Sequence, residues 1–204
     1  MFTLAKEFRM SDINWSGETF HPVVNLPIDY TVLDLSLGSW EPSKTNFYVG
    51  KYNEFRPNLY NTPIFSGIRN IHVGIDIGGP VRTECMAFMD GEISHFGYNP
   101  EPGDYGYVII TKHIISGSSV WALYGHLDSN SVKNKSIGQK VNGGDVIAWF
   151  GDSHENGGWD PHLHFQLSLV EPETHDLPGV VSSEEISQAL LDYPDPRLVL
   201  GPLY

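Results

Sequence analysis

The chain has 204 residues, with 25 acidic against 12 basic side chains and a formal net charge of −13. A reader of nucleic-acid phosphates needs clustered Lys and Arg to release counterions, so this balance excludes nucleic acid as the default partner. With 40% hydrophobic and 12% aromatic residues, there is apolar surface enough to offset chain entropy around one core, which argues against disorder.

The opening segment, Met1 to Asn14, places Lys6, Glu7, Arg9 and Asp12 where an export signal needs its apolar stretch. No uncharged apolar run approaches the roughly 18 residues of a membrane span. The expectation is a cytoplasmic protein without a membrane span, or a periplasmic or extracellular one if the chain was trimmed. From Met1 to about Asn61, apolar residues such as Val23, Val24, Leu33 and Leu35 are broken by Pro22, Pro27 and Pro42. Residues 1–61 therefore read as an N-terminal extension of a few strands and loops, too poor in apolar groups to close its own core and so packed on the rest.

From Ile71 onward the pattern sharpens. Ile71 to Ile77, Gly91 to Phe96, Tyr107 to Ile115, Val120 to Leu127, Asp145 to Phe150 and His162 to Val170 each read as a strand bounded by turn residues. Ser116-Gly117-Ser118-Ser119 reads as a hairpin turn. These elements make residues 62–170 the main β-domain, and 171–204 a C-terminal loop, helix and tail. Ser182 and Glu185 have the spacing of a capping box, and Ile186, Ala189 and Leu190 form a one-sided stripe that Pro194 stops. Cys85 is the single cysteine, so neither an internal disulfide nor a thiolate zinc cluster can form, and any metal must use His and carboxylate.

The chemistry-bearing residues fall in three places. In His162-Leu163-His164-Phe165-Gln166-Leu167-Ser168-Leu169, polar and apolar residues alternate, so period two puts both histidines on one strand face. This is either a solvated face or a site, and two adjacent histidines are an uncommon choice for solvent. In His72-Val73-Gly74-Ile75-Asp76, an imidazole and a carboxylate share a face over a glycine. That pair reads equally as metal ligands or as a hydrogen-bonded structural pair. His126 closes the strand that begins at Val120. Zinc in a hydrolytic site takes three ligands from His and carboxylate and leaves a fourth position for water, whose pKa falls toward about 7. His72, Asp76, His126, His162 and His164 offer enough groups for that set and two more for proton transfer.

The order of these motifs, with Ala87-Phe-Met-Asp90-Gly91, Ile110-Thr-Lys-His113, Tyr124-Gly-His126-Leu127 and Pro161-His162-Leu-His164-Phe165 between and after them, resembles the lysostaphin-type (LytM-type) zinc metallopeptidases. The likeness runs from about Ile71 to Leu167. It implies a mainly β fold, with a small antiparallel β-sheet metallopeptidase domain holding one Zn2+ per chain between His72, Asp76 and His164. It also implies that His126 and His162 are catalytic without binding the ion. His113 matches a further family position, placed in the second shell; Tyr124, His154 and Asp160 are further candidates for the second shell or the substrate groove. The implied activity is hydrolysis of peptide bonds, with a peptide or bacterial peptidoglycan crosslink as substrate. Gln166 stands where the family often has an acid, and the segments 98–105 and 151–160 are not the family's usual loops. Two rivals remain: a non-catalytic LytM-like binding module, and an intracellular accessory domain acting on something other than cell wall. An iron site of two His and one carboxylate is chemically conceivable, but nothing in the sequence offers an oxidant or cosubstrate site.

Overall fold

The computed structural model describes residues 13–38 and 45–204. Most of the charged opening segment, and Pro42, lie outside the described residues. Strands are numbered in chain order. The main sheet has eight of them, in the spatial order β1 (Thr31–Val32), β2 (Tyr48–Gly50), β5 (Ile75–Gly78), β12 (His162–Ser168), β9 (Ser118–Leu127), β8 (Gly106–Ile115), β7 (Gly91–Asn99) and β10 (Lys140–Val141). Every neighbouring pair is antiparallel except β1 with β2, which is parallel. A three-stranded sheet joins β13 (Val180–Val181), β4 (Ile71–His72) and β3 (Glu54–Phe55), and a two-stranded one joins β11 (Val146–Trp149) to β6 (Glu84–Met86).

Local sequence explains the centre of this architecture. The β8–β9 hairpin turns at Ser116 and Gly117, both left-handed (φ 51° and 82°), the backbone that a two-residue turn needs to match strand twist. Along β12, Leu163, Phe165 and Leu167 enter the main core. The alternation leaves His162, His164, Gln166 and Ser168 on the opposite face, as period two requires. That core also buries Ile13, Val23, Val24 and Val199 beside Phe88, Phe150 and Phe165. At the C-terminal end the capping box forms: Ser182 N donates to Glu185 Oε2 at 2.9 Å and Glu185 N to Ser182 Oγ at 3.3 Å, ahead of α1 (Ile186–Asp192). A single helical turn, α2 (Arg197–Leu200), follows in the segment expected to be tail.

One local expectation needs correction. The stretch Ile71 to Ile77 is not one strand: β4 belongs to the small sheet and β5 to the main one. Val73 N donates to Gly179 O at 3.0 Å, so the chain leaves one sheet for the other between His72 and Ile75. The expected strand at Asp145 to Phe150 forms as β11, which pairs with β6. No helix among the described residues is long and apolar enough to cross a membrane.

Candidate metal centre and active site

On the face of the main sheet away from the core, Asp76 of β5 lies directly across from His164 of β12. His72 arrives from β4 in the neighbouring sheet. His72 Nε2 is 3.0 Å from His164 Nδ1 and 3.1 Å from Asp76 Oδ1, and His164 Nδ1 is 3.2 Å from the same oxygen. All three side chains are buried. The outer nitrogens are committed elsewhere: His72 Nδ1 to Lys51 O at 2.9 Å and His164 Nε2 to Gln166 Oε1 at 3.0 Å. With those nitrogens donating, each inner nitrogen presents a lone pair to its neighbour and to a carboxylate oxygen. Three converging lone pairs repel unless a cation lies among them, and about 3.3 Å is the donor spacing of tetrahedral zinc with bonds near 2.0–2.2 Å. The donor set therefore fits a zinc ion. Gly74 is required here, because a Cβ on it would collide with the His164 ring.

Asp76 is held from its other side. Its Oδ2 accepts from Arg56 Nη1 at 2.7 Å, while Arg56 Nε donates to Glu54 Oε2 at 2.9 Å and Nη2 to Lys51 O at 3.2 Å. Arg56 and Glu54 are both buried. Burial alone would raise the Asp76 carboxyl, but His72 and Arg56 hold it well below the usual carboxylate range. The His72 imidazole is pushed down to about 4, first by burial and then by Arg56, so it is neutral and competent as a ligand at neutral pH.

Two more imidazoles flank the triad. His126 Nδ1 donates to Asn156 O at 2.8 Å and His162 Nδ1 to Asp160 O at 2.7 Å, and their rings stand 4.2 Å apart. His162 Nε2 lies 3.8 Å from Asp76 Oδ1. Simple alternation along β9 would send His126 into the core, because Tyr124 points there. Instead His126 is left-handed (φ 62°), and β9 gains one residue against β8 between Tyr124 and Leu127. This bulge turns the imidazole to the site, a placement found where strands are re-aimed beside functional groups. Burial lowers both imidazoles, His126 well below its ordinary value.

Of the other sequence candidates, only Asp160 lines the same cavity. His113 is buried on the core side, against Asp90 O, Thr111 Oγ1 and the Phe88 ring. Tyr124 lies in the main core with its hydroxyl on Met86 O, and His154 is exposed beside Asp152. The structure brings none of these three to the triad. Cys85 is buried, with its thiol pushed well up by burial. Sequence reading missed Arg56 and Tyr105. Tyr105 sets its ring against His164 and His126, with Oη donating to Leu177 O at 3.0 Å. Glu54 and Arg56, two apart on an extended segment, were legible as a charge pair sharing a face, but their target was not.

A family model described as peptidase family M23 matches residues 70–175. Among solved structures, the catalytic domain of the antimicrobial peptidase lysostaphin from Staphylococcus simulans is 22% identical, covering 71% of this chain and 92% of that one, with a TM-score of 0.47. A catalytic-domain variant of the prophage-encoded M23 protein EnpA from Enterococcus faecalis is 24% identical over 62% of this chain and 83% of its own, with a TM-score of 0.45. LytU is 21% identical over 79% and 97%, with a TM-score of 0.44. No curated protein sequence is significantly similar to the chain.

Proposed function

From the premise that the chain belongs to peptidase family M23, we propose that it is a zinc-dependent metalloendopeptidase that hydrolyses peptide bonds of the peptidoglycan-crosslink type. The observation that carries this reading is the convergence of His72, Asp76 and His164 with two further imidazoles on one sheet face. His72 Nε2, His164 Nδ1 and Asp76 Oδ1 would hold the ion, which supplies the Lewis acidity that activates water near neutral pH and polarises a peptide carbonyl.

The chain's own groups do the rest. Gln166 and the Lys51 carbonyl fix the tautomers of the two ligand histidines, and Arg56 leaves Asp76 one free oxygen to offer. His126 and His162 keep Nε2 unprotonated, since each commits Nδ1–H to a carbonyl. Either can accept the proton of an attacking water, and the resulting imidazolium can donate to the developing oxyanion or to the leaving amine. Asp160 and Asn156 act here through their backbone carbonyls. A binding module that had shed catalysis would have no need to keep all five groups.

Zinc-loaded protein should cleave purified peptidoglycan or crosslink peptides and lose that activity with a chelator. His164→Ala should lose metal and rate together. His126→Ala and His162→Ala should keep the metal and lose rate on the order of 100-fold. Metal content by elemental analysis separates these outcomes. If His162→Ala empties the site, the two strand neighbours exchange roles; full zinc occupancy with no cleavage of any peptide would leave the binding module as the function.

A further inference from the structure

The cavity over the candidate centre is larger than the five polar groups need. Its volume is about 290 Å³, close to the smaller ligand pockets, which begin near roughly 300 Å³. Part of its wall is apolar, and that part comes mainly from residues that precede the family match: Leu33, Leu35, Leu59, Ile64 and Phe65, with Leu177 also lining the cavity. Leu33, Leu35 and Phe65 are buried, while Leu59 and Ile64 are half-buried.

Charged groups line the cavity too: Arg56, Arg69, Asp104, Asp160 and Asp176, of which Arg69, Asp160 and Asp176 are exposed to solvent. Arg56 is already paired with Asp76 and Glu54. Arg69 is exposed and its field acts on Asp176. Asp104 accepts from the Tyr105 backbone N–H at 2.7 Å. The imidazole N–H groups are spent on carbonyls and Gln166, so a polar side chain entering between the leucines would find few partners and lose its water. An apolar side chain would displace water from surface that is otherwise wet.

We propose that this cavity is a side-chain subsite, and that the enzyme cuts beside an aliphatic or aromatic residue seated between Leu33, Leu35 and Ile64. The proposal rests on the peptidase reading and adds its substrate class. Burial of one such side chain should favour it over glycine roughly 10- to 100-fold in kcat/KM.

Two measurements on the full chain test it. Zinc-loaded protein digests a mixed peptide library, with products read by mass spectrometry; metal-free protein binds acetyl-Gly-Leu-Gly-amide or acetyl-Gly-Gly-Gly-amide in a calorimeter. The expected result is aliphatic or aromatic residues enriched at one fixed position from the cut, and tighter binding of the leucine peptide without metal. Leu35→Asp should abolish both preferences; Ile64→Ser, at a half-buried position, tests the same wall where Leu35→Asp does not fold. Cleavage with no side-chain preference, or equal binding of the two peptides, overturns the subsite and leaves the peptidase standing. Selective binding without any cleavage does the reverse.

Discussion

Replacing Arg56 by Met tests whether the N-terminal extension is part of the centre. The guanidinium is buried and bonds two buried carboxylates, Asp76 at 2.7 Å and Glu54 at 2.9 Å, and the Tyr60 hydroxyl at 3.0 Å. Removing one member of a buried ion pair leaves an uncompensated charge and costs about 3–5 kcal/mol. Here two carboxylates are stranded, though Lys51 remains 3.8 Å from Glu54 and softens the loss. Against a total stability of about 5–15 kcal/mol, Arg56→Met should still fold in the cold. With an m-value of about 2 kcal/mol per molar urea, the midpoint of the metal-free protein should drop by roughly 1.5–2.5 M. Zinc should rescue more stability in the variant than in the wild type, because the cation then meets Asp76 with no competing positive charge. Adding Glu54→Gln should recover part of the loss, since one of the stranded charges is gone. A shift below about 0.5 M in the metal-free protein, or equal rescue by zinc, would refute the placement of Arg56 as the charge that holds Asp76.

Acidification gives a second test. Burial pushes His72 and His113 down to about 4, so below about pH 6.5 the unfolded chain takes up protons that the folded one refuses, and stability falls as pH falls. Asp76 has linkage of the same sign in a lower window: its contribution is present above the unfolded carboxyl value near 3.9, is lost only as pH falls below that value, and so survives from pH 7 to pH 5. Each neutral buried histidine should therefore cost about 2 kcal/mol between pH 7 and pH 5 in chelator, and an unchanged denaturation midpoint over that range would contradict neutral burial. Limited proteolysis gives a third. With Val23, Val24 and Val199 in the main core and Lys51 O bonded to His72, the flanks 1–61 and 171–204 are proposed to pack on the 62–170 domain. Digestion should then yield no stable fragment near residues 65–170, and early release of one would show the flanks to be detachable.

What could be read from the sequence was local, and what could not was set by distant backbone. The alternation of β12 needs no partner to be visible, and the Ser182–Glu185 cap closes within four residues. His72 and Asp76 were identifiable as chemistry, yet their geometry was not: the step between β4 and β5 depends on Gly179, more than a hundred residues away. The strands β6, β10 and β13 are two or three residues long, too short for a period to register. His126 broke the rule that located the other histidines, because a left-handed residue in a bulge moves it across the sheet. The deepest reason lies in the carbonyls. Lys51, Asn156 and Asp160 each fix one imidazole through main-chain oxygen, a group that every residue type supplies. No choice of side chain at those positions announces the contact, so the partners that set three of the four ring tautomers leave no mark in the sequence. One of them, Lys51, lies in the extension, outside the 70–175 family match. A centre whose ligands were legible from short motifs thus depends for its ligand geometry on a segment that carries no motif at all.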